Sequence, residues 1–157
     1  MNLEELKTLE AKLAVTPVEI IDIFFSHSLI TIYPAHSPED FVSSVNLKDM
    51  RFSAKIINVI EKDKLVYLSV GISNSLEEQK HKGIEFNIVC IGGYAWRGDV
   101  FDEDAVKKIF NWGVSIQVSS IRQHIAQETA RSPYRTPWYF PIALVQIDNT
   151  SKDTPLS

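Results

Sequence analysis

One change of hydrophobic period, near residue 100, limits this chain more than any other feature. Before it, β-branched and aromatic residues recur at every second position; after it, apolar residues recur every three or four. The stretch VEIIDIFFSHSLITIY, Val18 to Tyr33, is bounded by Pro17 and Pro34 and reads as one long strand. Leu47 to Glu61 predicts a second strand, with Met50, Phe52, Ala54, Ile56 and Ile60 on one face, interrupted by Asn58. Lys62-Asp63-Lys64 is a tight polar turn into a third strand, Leu65 to Leu76, which carries Val66, Leu68, Val70, Ile72 and Leu76 on one side. The charged turn Glu77 to Gly83 leads to a fourth strand, Ile84 to Ile91, closed by Gly92-Gly93 as a turn or bulge.

Helical signals follow. Asp102 is a suitable N-cap, and Glu103 and Asp104 suit the positive end of a helix dipole. Val106, Ile109 and Phe110 form a stripe that Gly113 is expected to stop. A second helix is predicted over about Ser115 to Ala130, ending before Pro133. Its seam, Val114, Val118, Ile121 and Ile125, is narrow enough to suggest packing against another helix, here an oligomer interface with a second subunit. Strands followed by helices define an α+β chain, a four-stranded antiparallel meander with helices on one face. Strand one is apolar on both sides: Ile21, Ile23, Phe25 and Leu29 on one, Val18, Ile20, Phe24, Ile30 and Ile32 on the other. One set of helices covers only one face of such a sheet, so self-association is the economical cover for the other.

The domain organisation is read as residues 1–16, an N-terminal amphipathic helix carrying Leu3, Leu6, Leu9 and Leu13, then one domain over 17–148, then a polar tail at 149–157. Pro141 to Asp148 is a candidate last strand. The formal charge of −4 disfavours nucleic acid, which needs clustered Lys and Arg. No run of apolar residues is long enough to span a membrane and no secretory signal pattern opens the chain, so the expected compartment is the cytoplasm. The single cysteine, Cys90, lies in an apolar run and reads as a buried, inert thiol.

Searches for chemistry return little. There is no phosphate-binding loop, no G-x-S-x-G and no H-E-x-x-H, so neither a cofactor nor a metal site is expected. His124 and Glu128 lie four apart on one helix face, with Arg122 nearby, the nearest approach to an enzymatic site; a solvated helix face explains them as well. Phe101 and Trp112 read as core. Trp138-Tyr139-Phe140 cannot all point one way, so at least one ring is expected at a surface, where Trp and Tyr are favoured. Exposed apolar patches of that kind mark protein-binding sites.

Over roughly residues 18–148 the chain resembles the SecB family of export chaperones. The resemblance rests on the strand-then-helix order and on Arg122, Ile125, Arg131 and Pro141, which match the family's spaced arginine, isoleucine, arginine and proline without a gap. It departs from the family at Val118-Ser119-Ser120, where an aromatic-Pro-Tyr triplet is usual, at Ser132 in place of a glycine, and in lacking a pattern for the long C-terminal helix. The chain is most similar to divergent members associated with phages or toxin–antitoxin modules. The resemblance implies a homotetramer and ATP-independent binding of non-native polypeptide in hydrophobic grooves. It further implies a client such as an antitoxin, with the motor protein SecA a possible partner for which no contact residues match. The client-binding residues expected on this basis are Ile21, Ile23, Phe25, Trp96, Trp138, Tyr139 and Phe140. The competing expectations are a small enzyme using His124, Glu128 and Arg122, and an adaptor for one folded partner.

Overall fold

The computed structural model describes residues 16–33, 50–74, 83–133, 135 and 137. Four strands precede one helix: β1 (Val18–Tyr33), β2 (Met50–Ile60), β3 (Leu65–Asn74), β4 (Gly83–Trp96) and α1 (Glu103–Ala130). All neighbouring strands are antiparallel, and the order across the sheet is β1-β4-β3-β2. The α+β class and the four-stranded antiparallel sheet are as expected. The order within it is not that of a plain meander. Strands β2, β3 and β4 are sequential neighbours, whereas β1 lies beside β4 at the far edge, a Greek-key arrangement. Period-2 patterning fixes faces but not neighbours, so the expected meander rested on chain order alone. The expected N-terminal helix, residues 75 and 76 of the third strand and the candidate strand at 141–148 lie outside the described residues.

A 3-10 turn, Glu61–Asp63, joins β2 to β3, with Lys64 in the left-handed region at φ 53° and donating its N–H to the Glu61 carbonyl at 3.1 Å. Strand β4 runs five residues past its expected end at Ile91, through Gly92 and Gly93. A Cβ at Gly92 would stand 2.6 Å from the Tyr94 hydroxyl, and one at Gly93 would stand 2.9 Å from the Tyr67 ring. The two glycines therefore make room for rings on opposite faces, and the ladder continues.

Residues directly opposite each other in an antiparallel ladder share a face. The core side of β4 holds Ile84, Phe86, Ile88, Cys90 and Tyr94, all wholly buried. The expected face of β3, Val66, Leu68, Val70 and Ile72, is buried beside it. The edge strands are irregular. Register shifts fall between Ile20 and Asp22 and between Phe25 and Ser26's successor His27 in β1, and between Ile56 and Asn58 in β2. Each shift inserts one residue and inverts the parity of the strand. Ile20, opposite Tyr94, shares the core side with Ile23, opposite Gly92, and Phe25, opposite Cys90; Ser28, opposite Ile88, returns the pattern to even positions. The same device in β2 explains why Asn58 interrupted the face: Met50, Phe52, Ala54 and Ile56 oppose buried β3 residues, and after the shift Val59 takes over while Asn58 and Ile60 oppose the other side.

Helix α1 lies on the core side. Asp102 caps it, its side chain accepting from Ala105 N at 3.0 Å, and Glu103 and Asp104 occupy the first turn. The predicted break at Gly113 does not occur. Gly113 is buried inside a continuous helix, where an added Cβ would come within 2.4 Å of Leu68 Cδ1 and 2.8 Å of the Tyr94 ring. The glycine lets the helix approach the sheet closely. Gln117 fixes it there: wholly buried, it donates from Nε2 to the Cys90 carbonyl at 2.8 Å and accepts at Oε1 from the Tyr94 hydroxyl at 3.2 Å.

The seam Val114, Val118, Ile121 and Ile125 packs on Val70, Ile72, Ile84, Phe86 and Ile88 of its own sheet. Those four residues, expected at an oligomer interface, are therefore core of the protomer, at no more than 5% exposure. The wide apolar side of the sheet was the nearer partner.

Candidate functional site

A helix with its side chains is about 10–12 Å across. The outer strands of a four-stranded sheet stand roughly 14 Å apart, axis to axis. One helix seated over β3 and β4 therefore leaves both edge strands uncovered on the core side, and a groove runs along each flank of α1.

The larger groove, about 850 Å³, lies between α1 and β1 and is lined by Ile23, Phe25, Trp112, Ser115, Ile116, Ser119, Ser120, Gln123, His124 and Gln127. Its walls are apolar at Ile23, Phe25, Trp112 and Ile116. Its helical wall is kept low by serines, two of which turn back on the helix: Ser115 Oγ donates to the Asn111 carbonyl at 3.1 Å and Ser120 Oγ to the Ile116 carbonyl at 3.0 Å. With those donors spent locally, the hydroxyls add little bulk and little unmet polarity. His124 stacks on Phe25, centroids 4.5 Å apart, and its Nε2 hydrogen-bonds Ser28 Oγ at 2.8 Å. The second groove, about 360 Å³, lies between α1 and β2 and is lined by Ile56, Glu103, Val106, Lys107, Phe110 and Asn111.

The structure separates the expected client-binding residues. Ile23 and Phe25 line the larger groove, where the two register shifts of β1 turn them inward. Ile21, grouped with them by simple alternation, is the inserted residue of the first shift; it is 48% exposed and does not line the groove. Trp96 is buried at 8% and packs with Val66, Tyr94 and Ile109 at the other end of the helix, so its expected place at a client surface is replaced by a core position. Trp138, Tyr139 and Phe140 lie outside the described residues. Of the two aromatics expected in the core, Phe101 packs against it, while Trp112 is 48% exposed and forms a groove wall. The serine stripe Ser115, Ser119 and Ser120 went unread; its signal was the spacing with Trp112 and Ile116 along one helix face.

Two members of the helix-borne His/Glu/Arg constellation have other partners. Glu128 pairs with Arg131 at 3.1 Å, and His124 is engaged with Phe25 and Ser28. Among the described residues no three His, Cys, Asp or Glu side chains gather as metal ligands, and no helix is long and apolar enough to cross a membrane. Cys90 is buried as expected, and burial pushes its thiol above the ordinary range.

No family model matches the sequence, and no curated protein matches it significantly. Solved structures do. The Mycobacterium tuberculosis Rv1957 SecB-like chaperone, in complex with a ChAD peptide from the Rv1956 HigA1 antitoxin, superposes with a TM-score of 0.57 at 14% identity, covering 80% of this chain and 90% of that one. A protein of unknown function from Streptococcus agalactiae matches with a TM-score of 0.45 at 12% identity, over 82% of this chain and 100% of that one. The resemblance read in the sequence is thus matched in three dimensions: this chain has the fold of a SecB-like chaperone.

Proposed function

We propose that the protein is an ATP-independent holdase that receives an extended apolar segment of non-native polypeptide in the groove between α1 and β1. The observation that carries this reading is the groove itself, walled by half-exposed Trp112, by Phe25 at 36% exposure and by Ile23 and Ile116. A segment laid there buries apolar side chains at roughly 25 cal/mol per Å², and many weak subsites add up over a long footprint. Serines keep the cleft open, and the Ser28–His124 pair supplies a polar point against which register can be set. The shared fold with a SecB-like chaperone bound to an antitoxin peptide supports a client of the same class, an apolar extension of an antitoxin. Binding of polypeptide is the activity proposed.

The test is suppression of aggregation of a chemically unfolded client, without nucleotide, by the wild-type chain and by Phe25→Asp. Wild type is expected to suppress aggregation and Phe25→Asp to lose most of that effect while keeping its circular dichroism spectrum. A wild-type chain that leaves aggregation unchanged would sink the reading.

A further inference from the structure

We infer that Gln123 and Gln127 make the α1–β1 groove selective for a neutral, extended segment of graded polarity. Such a segment places a large apolar side chain at the Trp112 end of the groove and carboxamide side chains at the Gln127 end. The inference deepens the holdase reading and rests on it for the entry of a polypeptide into the groove.

The first observation is one of charge. None of the ten residues lining the groove is Asp, Glu, Lys or Arg. A charged client side chain would shed its hydration there with no opposite charge to receive it. The smaller groove differs, because the Glu103–Lys107 ion pair, at 2.9 Å, belongs to its lining.

The second is that the lining changes character along its length. Trp112 and Ile116 make the helical wall apolar at one end, and Gln123, His124 and Gln127 make it polar at the other. Strand β1 follows the same gradient. Ile23 opposes Gly92, beside the Tyr94 hydroxyl that reaches the Gly113 carbonyl, so it stands at the apolar end; Ser28 bonds His124 at the polar end.

The third concerns which polar groups already have partners. Ser115 and Ser120 donate to their own helix, and His124 Nε2 meets Ser28. Gln123 and Gln127 are exposed, and neither side chain is engaged by another described residue. They lie four apart on one helix face, and each carboxamide offers two donors and an acceptor. A leucine laid over them would displace their water and return no hydrogen bond, whereas a carboxamide returns both a donor and an acceptor.

The helix sets the spacing. From midway between Trp112 and Ile116 to midway between Gln123 and Gln127 is eleven positions, about 17 Å at 1.5 Å per residue. About five extended residues cover that distance, and side chains share a face at every second residue. The carboxamides of the occupant therefore fall four and six positions from its apolar anchor.

The experiment uses the full chain and three capped, fluorescein-labelled alanine-based nonapeptides, with binding read by anisotropy. The first has phenylalanine at position 2 and glutamine at positions 6 and 8. The second has leucine in place of both glutamines, and the third has the glutamines moved to positions 1 and 3. Each is made in both chain directions, and the tighter of the two is compared. Wild type is expected to bind the first about fivefold more tightly than either of the others. In the double variant Gln123→Leu, Gln127→Leu the order of the first two should invert. Equal affinities in wild type, tighter binding of the leucine peptide, no binding of any peptide, or an unchanged order in the variant would overturn the inference. Peptide binding that weakens as protein concentration rises would overturn it too, by assigning the groove to a second copy of the chain. The ranking on wild type needs no substitution, so a folding defect in the variant does not decide the outcome. Wild type that ranks the peptides as stated but leaves client aggregation unchanged would keep the inference and remove the holdase reading. Suppression of aggregation without that ranking would do the reverse.

Discussion

Tyr94 shows how one residue can hold two elements. Its ring rests over Gly92, and its hydroxyl meets the Gly113 carbonyl at 3.1 Å and Gln117 Oε1 at 3.2 Å. Burial pushes its ionisation well above the ordinary tyrosine range, and the neighbouring Cys90 thiol adds to the shift. The folded value lies above the unfolded one, so the neutral form is the one that folding favours. Its contribution is fully present below the unfolded tyrosine value of about 10 and is lost as pH rises through that value toward the folded one. Absorbance at 295 nm during an alkaline titration should therefore show one of the five tyrosines ionising only together with loss of the native circular dichroism signal. Titration of all five before unfolding would contradict the buried position.

At the scale of the element, α1 shows a helix-breaking signal overruled by packing. Glycine in a helix interior costs about 1 kcal/mol relative to alanine, which made Gly113 a reasonable stop. In the structure the close approach to Leu68 and Tyr94 is what requires it. Gly113→Ala should consequently destabilise the protein by about 1–3 kcal/mol despite its gain in helix propensity, because Tyr94 is held by two partners and cannot move aside. Urea denaturation measures the change, and an alanine variant as stable as wild type would show that the helix can lift off at little cost. The edge strands make a similar point. Their apolar residues were legible, but the inserted positions Ile21 and Ile57 were not, since an insertion is defined only against a partner strand. That is why Phe25 was placed with Ile21 and why Asn58 looked like a fault.

At the scale of the molecule, a single helix over four strands leaves apolar surface that no described residue covers. Ile20, Ile21, Phe24, Phe25 and Leu29 of β1 and Phe52, Ile56, Ile57 and Val59 of β2 are each between 36% and 52% exposed. The α1 seam is consumed within the protomer, so we propose that the homotetramer implied by the resemblance forms through these edge strands. Phe24 and Leu29 oppose Ile91 and Asn87 on the side of the sheet away from α1. Light scattering after size exclusion should report a tetramer for wild type and a smaller species for the double variant Phe24→Asp, Leu29→Asp. A wild-type monomer at the concentrations of the aggregation assay would refute the assembly and leave the groove unaffected.

The sequence by itself determined the class of the fold, the long first strand, the buried face of β3, the capped start of α1 and the inert burial of Cys90, because each follows from periodicity or local chemistry within a few residues. Ile23 and Phe25, expected to bind client, line the groove. Tertiary structure alone decided that β1 pairs with β4, that Gly113 joins one helix rather than parting two, and that Val114, Val118, Ile121 and Ile125 face their own sheet. It also decided that Trp96 is core while Trp112 is groove wall. These are matters of which surface meets which, and an apolar stripe records that it must be covered without recording by what.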